Sequence, residues 1–291
     1  MLAVTPRRLP SWLRRSLPEI STNQTQAVLA KYDLNTVCES ALCPNRTECY
    51  AHSTATFMIL GDVCTRRCGF CAVATGKAET VMSDEPERVA WAAQELGLSY
   101  VVITSVARDD LRDEGAWQFA ETIRKVRNLL PESEIEVLTP DFHARRDCLE
   151  VVVAAGPDVF NHNLETVARL QKNVRVQASY ERSLSVLEKV KELDHGMTTK
   201  SGLMLGLGES YEEVLQAARD LRSVGCDILT LGQYLCPSPE HLAVVDYKSP
   251  EYFNDLAGTL RPMGFRHVFA GPYVRSSYHA REVFHEKQNE A

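Results

Sequence analysis

The chain has 291 residues, of which 44% are hydrophobic, and its formal net charge is −7 at pH 7. This length suits one large domain or two small ones, and the acidic balance argues against a protein that binds nucleic acid. No apolar run approaches the roughly 18 residues of a membrane span, and no signal-peptide pattern is present. The sequence therefore predicts a soluble, cytoplasmic protein with no membrane partner.

The first 18 residues carry a basic charge pattern. They include no acidic residue and four arginines, which are Arg7, Arg8, Arg14 and Arg15. An Arg-rich, acid-free start can be a transit peptide, but Pro6, Pro10 and Pro18 would break the amphipathic helix that such a peptide needs. The pattern favours an arm that packs on the domain or contacts an acidic partner.

Strands and helices alternate after an irregular stretch at residues 1–55. Buried, β-branched segments predict six strands of parallel type, the fifth of which runs into a glycine turn, at 56–60, 100–106, 135–140, 158–163, 198–209 and 227–234. Helical patterns fall between them at about 84–97, 114–130, 145–155, 165–171, 181–193 and 210–224. Capping boxes are expected at the starts of two of these helices, from Asp84 with Glu87 and from Ser210 with Glu213.

This alternation predicts an α/β fold built from right-handed βαβ units, a barrel or partial barrel. A dinucleotide-binding fold has no support, because no GxGxxG follows the first strand. We expect an N-terminal extension over residues 1–55, a partial (β/α)6 barrel over 56–270 and a C-terminal extension over 271–291.

Nine cysteines call for an explanation, because an intracellular chain rarely keeps disulfides. Cys148 and Cys226 lie in apolar settings and are expected to be small buried hydrophobes, whereas Cys236 precedes a proline in a loop. The other six fall within 34 residues and form two triplets, Cys38-x4-Cys43-x5-Cys49 and Cys64-x3-Cys68-x2-Cys71. Metal or redox chemistry is therefore favoured.

The second triplet directly follows the first predicted strand, where barrel enzymes carry their chemistry. One alternative is a zinc site that recruits His52 or His143, but zinc motifs usually contain paired CxxC units and no second CxxC is present. Three thiolates can instead hold three irons of a [4Fe–4S] cluster and leave the fourth iron open to a small chelating molecule.

Cys64-x3-Cys68-x-Phe70-Cys71 resembles the signature loop of radical S-adenosylmethionine enzymes. In that family the cosubstrate S-adenosylmethionine chelates the open iron of the cluster. Within that superfamily, three stretches resemble the lipoyl synthase family: TVCESALCPNRTECY at 36–50, NHNLETV at 161–167 and RSSYHA at 275–280. The resemblance runs from about residue 7 to 285. It implies a partial (β/α)6 barrel, two [4Fe–4S] clusters and S-adenosylmethionine as cosubstrate.

The resemblance also implies a reaction, the insertion of two sulfur atoms at C6 and C8 of an octanoyl chain carried on a lysine. Cys38, Cys43 and Cys49 would hold an auxiliary cluster that supplies the sulfur, and the Ser277 hydroxylate would be its fourth ligand. Serine oxygen is a harder ligand than thiolate, so the bond is expected to be labile. Without the family, RSSYHA is typical of a helix start with a capping serine.

The resemblance suggests a cosubstrate pocket as well. The stretch GLMLGLGE at 202–209, with Gly202, Met204 and Gly206, is similar to a motif that packs against adenine, although a plain strand-to-helix turn would also use these glycines. Asn163 and Glu165 would bind the ribose hydroxyls or cap the next helix.

Two further positions concern the methionyl group of the cosubstrate. Ser105 ends the second strand, where the superfamily usually carries a Gly-Gly-Glu-type motif for the methionyl amine and this chain has TSVARDD instead. Arg182 would pair with the methionyl carboxylate or remain a solvated helix residue.

The partners implied by the resemblance are octanoylated lipoyl carrier domains, namely 2-oxoacid dehydrogenase E2 subunits and the glycine cleavage H protein, and an electron donor of ferredoxin or flavodoxin type. Three other functions remain open: a sulfur-inserting enzyme of the biotin synthase kind, an electron carrier of ferredoxin type, and a zinc-stapled interaction module.

Overall fold

The computed structural model describes residues 9–14, 23–52 and 54–285. Its centre is one sheet of eight strands in the order β1-β2-β5-β6-β7-β8-β9-β10. The ten strands of the described chain are β1 (Asn35–Thr36), β2 (Thr56–Ile59), β3 (Val63–Cys64), β4 (Ala74–Thr75), β5 (Tyr100–Ser105), β6 (Glu134–Leu138), β7 (Val159–Asn161), β8 (Thr198–Leu205), β9 (Ile228–Gln233) and β10 (His267–Gly271). Strands β3 and β4 pair separately from the large sheet.

Seven strands of the large sheet are parallel, and β1 is an antiparallel edge strand on β2. Within the described part of the chain no ladder joins β1 to β10, so the sheet is open and the fold is a partial barrel rather than a closed one. The six predicted strands are β2 and β5 to β9, which confirms the predicted fold class. Strand β10 adds a seventh parallel strand.

Eleven α-helices are present in the described residues: α1 (Asn23–Lys31), α2 (Val37–Ser40), α3 (Arg46–Ala51), α4 (Glu85–Glu95), α5 (Ala116–Leu129), α6 (Arg146–Val153), α7 (Gln171–Val174), α8 (Tyr180–Leu193), α9 (Tyr211–Ser223), α10 (Pro250–Leu260) and α11 (Ala280–His285). None of them is long and apolar enough to cross a membrane. The N-terminal stretch, expected to be irregular, contains α1 to α3 and β1.

Local rules explain where several helices begin. The Ser210 hydroxyl accepts from the Glu213 N–H and the Glu213 carboxylate accepts from the Ser210 N–H, so the capping box of α9 is confirmed. The box expected at α4 is wrong, because Asp84 has helical dihedrals and its side chain caps nothing. Glu87 instead pairs with Lys125 across the α4–α5 contact at 2.6 Å.

The helix expected over 165–171 is also wrong in its extent. Glu165 has a φ of +67°, which no right-handed helix accepts. A short 3₁₀-helix at Ala168–Leu170 therefore comes first, and α7 follows it.

Two apolar clusters on the helical side of the sheet form the core. One contains Phe57, Ile103 and Val137, and the other contains Leu203 and Leu231. The predicted burial of two further thiols is confirmed, since Cys148 belongs to the first cluster and Cys226 to the second.

The described part of the N-terminal arm packs on the domain. Leu13 is buried, and the Trp12 indole N–H donates to the Lys248 carbonyl at 3.2 Å. Arg14 donates to the carbonyl of Leu9. The other arginines of the arm lie outside the described residues: Arg7, Arg8 and Arg15.

Candidate active site

The second cysteine triplet begins at Cys64, the last residue of β3, and continues along the loop to β4, at the carboxyl end of the parallel strands. The Cys64 sulfur accepts two backbone N–H groups, from Arg66 at 3.4 Å and from Ala107 at 3.3 Å. The Thr65 N–H donates to the Ala107 carbonyl at 3.0 Å. The first cysteine is therefore fixed against the segment that follows β5.

The rest of this loop is held from the opposite side. Cys68 forms a β-bridge with Arg175, and the Gly69 N–H donates to the Val174 carbonyl at 2.9 Å. Phe70 is partly buried against the second apolar cluster. His241 contacts the Cys71 carbonyl at 3.0 Å through its Nε2.

Burial controls the protonation of these thiols. It raises the pKa of Cys71 to about 12 and raises the pKa of Cys68, with Arg175 acting against the rise at Cys68. The nearby Glu165 carboxylate adds to the rise in both. Such thiols stay protonated at neutral pH unless a cationic centre binds them and displaces the protons.

The spacing of the sulfurs favours a centre larger than one metal ion. The nine cysteines form no disulfide in the described chain, and no three of their sulfurs lie within 4.8 Å of one another there. A tetrahedral zinc–thiolate site, with Zn–S bonds of about 2.3 Å, would bring its sulfurs to about 3.8 Å. The sulfurs of neither triplet are therefore gathered as closely as a single zinc ion would hold three thiolates.

The first triplet lies on and between two short helices. Cys38 is in α2, which the Thr36 hydroxyl caps, and the Cys43 N–H donates to the Cys38 carbonyl at 3.1 Å. Cys49 is in α3. Burial raises the pKa of Cys38 to about 11, and the nearby Cys43 thiol contributes to the rise. The same argument for a cationic centre therefore applies to Cys38.

The C-terminal segment packs against the first triplet. The Asn45 side-chain amide donates to the Tyr273 carbonyl at 2.8 Å, and the Tyr278 hydroxyl donates to Glu48 at 2.9 Å. Ser277 is partly buried and lies in a turn, three residues before α11 begins at Ala280. Ser277 therefore directly precedes Tyr278, which is anchored to Glu48, the residue before Cys49. The role of Ser277 as a ligand stays a prediction.

The same segment reaches the predicted cosubstrate residues. The Ser276 hydroxyl donates to Asn163 Oδ1 at 2.9 Å, and Asn163 in turn donates to Glu165 at 3.0 Å. Neither residue caps the following helix, whose N-cap is Val167, so the capping alternative is wrong. Both side chains belong to the network that lines this end of the sheet.

The glycines of β8 and its turn have separate structural reasons. A Cβ on Gly202 would lie 2.7 Å from Thr230 Oγ1 and 2.9 Å from Asn163 Oδ1, so only glycine leaves room there. Gly206 has a φ of +102°, and a Cβ would overlap the Gln233 side chain. These contacts agree with the strand-to-helix turn, and the adenine contacts of both glycines and of Met204 stay predictions.

Ser105 ends β5 as predicted, and its hydroxyl oxygen is buried without a hydrogen-bond partner in the described chain. An orphaned hydroxyl at the carboxyl end of a strand is suited to a ligand group. The position therefore fits the methionyl group of a cosubstrate.

Comparisons with known proteins agree with this geometry. Residues 58–221 match the family model described as the radical SAM superfamily. The chain is 54% identical over 284 residues to a lipoyl synthase 2 of Thermosynechococcus vestitus, covering 95% of this chain and 98% of that protein. It is 52% identical over 273 residues to a lipoyl synthase of Caldanaerobacter subterraneus, covering 94% of this chain and 96% of the relative.

The chain belongs to the lipoyl synthase family. The expected enzyme class, and the synthesis of the lipoyl group by radical sulfur insertion, are thereby confirmed, and the family brings S-adenosylmethionine and iron–sulfur chemistry with it.

Solved structures are similar in fold. Methylornithine synthase has a TM-score of 0.52 at 12% identity, covering 93% of this chain and 89% of that one. Streptococcus suis SuiB with its precursor peptide has a TM-score of 0.58 at 14% identity, covering 80% of this chain and 54% of that one. At these identities the likeness shows the fold alone.

Sequence reasoning missed two arginines. Arg175 is buried beside Cys68 and donates to the Asn163 carbonyl at 3.1 Å. Arg182, which the sequence singled out, keeps 30% of its side chain exposed and pairs with the buried Asp141 at 3.2 Å. The other missed arginine is Arg66, inside the cysteine loop. No local pattern marks either arginine, because only the fold brings Cys68 to Arg175 and the Asp109 carboxylate to Arg66.

Proposed function

We propose that this enzyme converts an octanoyl chain, amide-linked to a lysine of a carrier domain, into the lipoyl group by inserting sulfur at C6 and C8. One observation carries the proposal: the segment 272–279 connects the two cysteine triplets. Tyr278 of this segment donates to Glu48, the residue before Cys49. Ser276 donates to Asn163, which in turn donates to Glu165 near the second triplet.

The residues of the second triplet would hold a [4Fe–4S] cluster with one open iron. When bound, that cluster supplies the electron that cleaves S-adenosylmethionine into methionine and a 5′-deoxyadenosyl radical. The protein's part is to place the cosubstrate. Asn163 and Glu165 would bind its ribose, and the Ser105 hydroxyl would meet its methionyl amine. Arg175, buried beside Cys68, would supply a positive charge for the carboxylate.

Cys38, Cys43, Cys49 and Ser277 would hold the auxiliary cluster, which supplies the sulfur. The turn at 276–279 supports this assignment, because Tyr278 anchors Ser277 beside the helix that carries Cys49. A weak oxygen ligand suits a cluster that is consumed in the reaction.

The proposed reaction balances over two equal steps. In each step one C–H bond of the octanoyl chain would be replaced by a C–S bond. The hydrogen atom would leave on 5′-deoxyadenosine, the sulfur would give up its bonds to iron, and the iron would take up the one electron left over. Each cleavage of S-adenosylmethionine takes one electron from an external donor, which we propose to be of ferredoxin or flavodoxin type. The carriers would be E2 subunits of 2-oxoacid dehydrogenases and the glycine cleavage H protein.

Substitution of one cysteine in each triplet tests this assignment. Cys68→Ala should abolish 5′-deoxyadenosine formation. Cys43→Ala should retain it and yield no lipoyl product from an octanoylated carrier domain. After anaerobic reconstitution the unchanged protein should hold about eight irons, and each variant about four, if two cubanes are present.

Cys236→Ala is the matched control, because Cys236 is exposed on a loop and should leave iron content and product unchanged. Lipoyl product from Cys43→Ala would overturn the sulfur-source assignment. No 5′-deoxyadenosine from the unchanged, reduced protein would favour an electron carrier. Sulfur insertion into another substrate alone would favour an enzyme of the biotin synthase kind.

A further inference from the structure

Arg66 lies between two of the predicted cluster ligands and is almost completely buried, with 6% of its side chain exposed. Its guanidinium holds Asp109 through a forked contact, from Nε at 2.8 Å and from Nη2 at 2.6 Å. The same Nη2 lies 2.8 Å from Asp141 Oδ1. Forked arginine–carboxylate contacts fix orientation as well as charge.

The two carboxylates come from loops that follow different strands. Asp109 follows β5, and Asp141 follows β6. Asp141 is fully buried and begins a turn in which Phe142, His143 and Ala144 all have positive φ, between +41° and +53°. The left-handed region is sterically unfavourable for residues other than glycine. The chain therefore tolerates local strain at the turn that places the Asp141 carboxylate against Arg66.

A bound cation is an alternative occupant of this place. The ligand atoms of Asp109, Glu114 and His143 lie within 4.8 Å of one another. The Arg66 guanidinium already lies against these carboxylates, 3.9 Å from Glu114 and in contact with Asp109. These side chains therefore bind the Arg66 guanidinium rather than a metal ion.

We propose that Arg66 is a positioning residue for the cluster held by Cys64, Cys68 and Cys71. Clamped by Asp109 and Asp141, it keeps its own backbone N–H and that of Ala107 on the Cys64 sulfur. Hydrogen bonds to the sulfurs and nearby charge set the reduction potential of an iron–sulfur cluster. The inference rests on the proposed function only in requiring a cluster on these three cysteines.

Loss of the guanidinium has a predictable sign. Arg66→Gln leaves the Asp109 and Asp141 carboxylates without their shared positive charge and loosens the N–H contacts to Cys64. Both changes disfavour the extra negative charge of the reduced cluster, so its midpoint potential should become more negative. A loosened loop should also release iron to a chelator several-fold faster.

The experiment uses the full chain reconstituted anaerobically, with the reduced cluster followed by EPR during a redox titration. The signal that changes when S-adenosylmethionine is added identifies the cluster with the open iron. Arg67→Gln is the matched control, because Arg67 is the adjacent arginine of the same loop but its side chain is exposed. It should leave both the potential and the rate of iron release unchanged.

A second variant distinguishes the proposed role of Arg66 from a general loss of folding. Arg66→Lys keeps the charge but not the fork, so it should release iron faster than Arg67→Lys while its potential moves less than that of Arg66→Gln. Equal potentials and iron release in the Arg66 and Arg67 variants would overturn the proposal, as would a lowered melting temperature as the sole effect. Absence of any such EPR signal from the unchanged protein would count against the proposed function instead.

Discussion

At the scale of single residues, His162 shows how burial sets a protonation state. It is 1% exposed, its Nδ1 lies 2.9 Å from the Thr139 carbonyl and its Nε2 lies 3.1 Å from the Ser183 hydroxyl. The Nδ1 therefore carries the hydrogen and the Nε2 accepts one. Burial lowers the pKa of His162 to about 4, and the neighbouring Arg175 adds to this shift.

This shift predicts an acid-sensitive fold. The unfolded imidazole titrates near pH 6.5, so the unfolded chain binds a proton that the folded chain refuses between pH 6.5 and 4. The stability that neutral His162 contributes is full above pH 6.5 and falls by about 3 kcal/mol as the pH drops to 4. Denaturant unfolding of the apoprotein from pH 8 to 4 measures it. His162→Gln should reduce this dependence, and parallel pH curves for the two proteins would contradict the prediction.

Ala144 gives a second prediction at this scale. Its φ is +53°, a conformation that glycine adopts without a steric cost. Ala144→Gly should stabilise the protein by about 0.5 kcal/mol, since about 1–2 kcal/mol of relieved strain exceeds the greater freedom of glycine in the unfolded chain. The melting temperature should rise slightly. Ala93→Gly, within α4, is the control and should lower it.

The sequence contained no sign of this turn. FHA at 142–144 has none of the glycine or asparagine that usually marks positive φ, and the strain is understandable only once the burial of Asp141 is known. The two cysteine triplets could be recognised because their spacing is local, and their role as cluster ligands stays a prediction. The anchoring of Arg66 and Arg175 could not, because it depends on residues that the fold brings together.

At the scale of elements, the contact between the C-terminal segment and α3 has a direct test. Tyr278→Phe removes the hydrogen bond to Glu48 and should release Ser277 from its place beside Cys49. We expect less lipoyl product and faster loss of iron from the auxiliary site, with 5′-deoxyadenosine formation retained. Stability should fall by about 1 kcal/mol.

Tyr211→Phe is the control for this experiment. Tyr211 donates a hydroxyl hydrogen bond of 2.8 Å to Thr259, but on the exposed surface and away from both triplets. Its loss should change neither product nor iron content. Equal product yields from the two variants would show that the Tyr278 contact is not needed to place Ser277.

The strands were predictable because their apolar, β-branched segments are buried on both faces, as in β5 and β9. The boundaries of the helices and strands were less predictable. The positive φ of Glu165 delays the helix after β7, and its cause is the packing of that residue against β8, where its N–H donates to Gly202 and its carbonyl accepts from Met204. Local propensity does not record such tertiary contacts.

At the scale of the whole molecule, the C-terminal segment extends along the sheet from the carboxyl ends of the strands to their amino ends. At the carboxyl ends of the strands its Val274 carbonyl packs so closely on Gly232 of β9 that a Cβ there would overlap it. At the opposite end, His285 pairs with Glu134 at the start of β6 at 2.7 Å. Contacts between residues so far apart along the chain leave no local pattern, so the path of this segment could not be predicted.

A buried ion pair joins four strands of the sheet. Lys200 of β8 is 1% exposed, and its Nζ lies 3.0 and 2.9 Å from the two carboxylate oxygens of Glu136 in β6. Asn161 of β7 and Tyr100 of β5 donate to the same carboxylate at 2.8 and 2.7 Å. The carboxylate is therefore fully satisfied, which makes its burial tolerable.

Removal of one partner should cost far more than removal of both. Lys200→Met leaves a buried carboxylate without its cation and should destabilise the protein by about 3–5 kcal/mol. Adding Glu136→Leu should restore part of this, since Asn161 and Tyr100 then lose their acceptor. Denaturant unfolding in a double-mutant cycle measures the coupling. Lys31→Met is the control, because Lys31 contacts Glu95 at 2.6 Å with both side chains well exposed, so its substitution should change stability very little. A Lys200→Met loss as small as that of Lys31→Met would mean that water reaches Glu136 and that the pair does not fix the four strands.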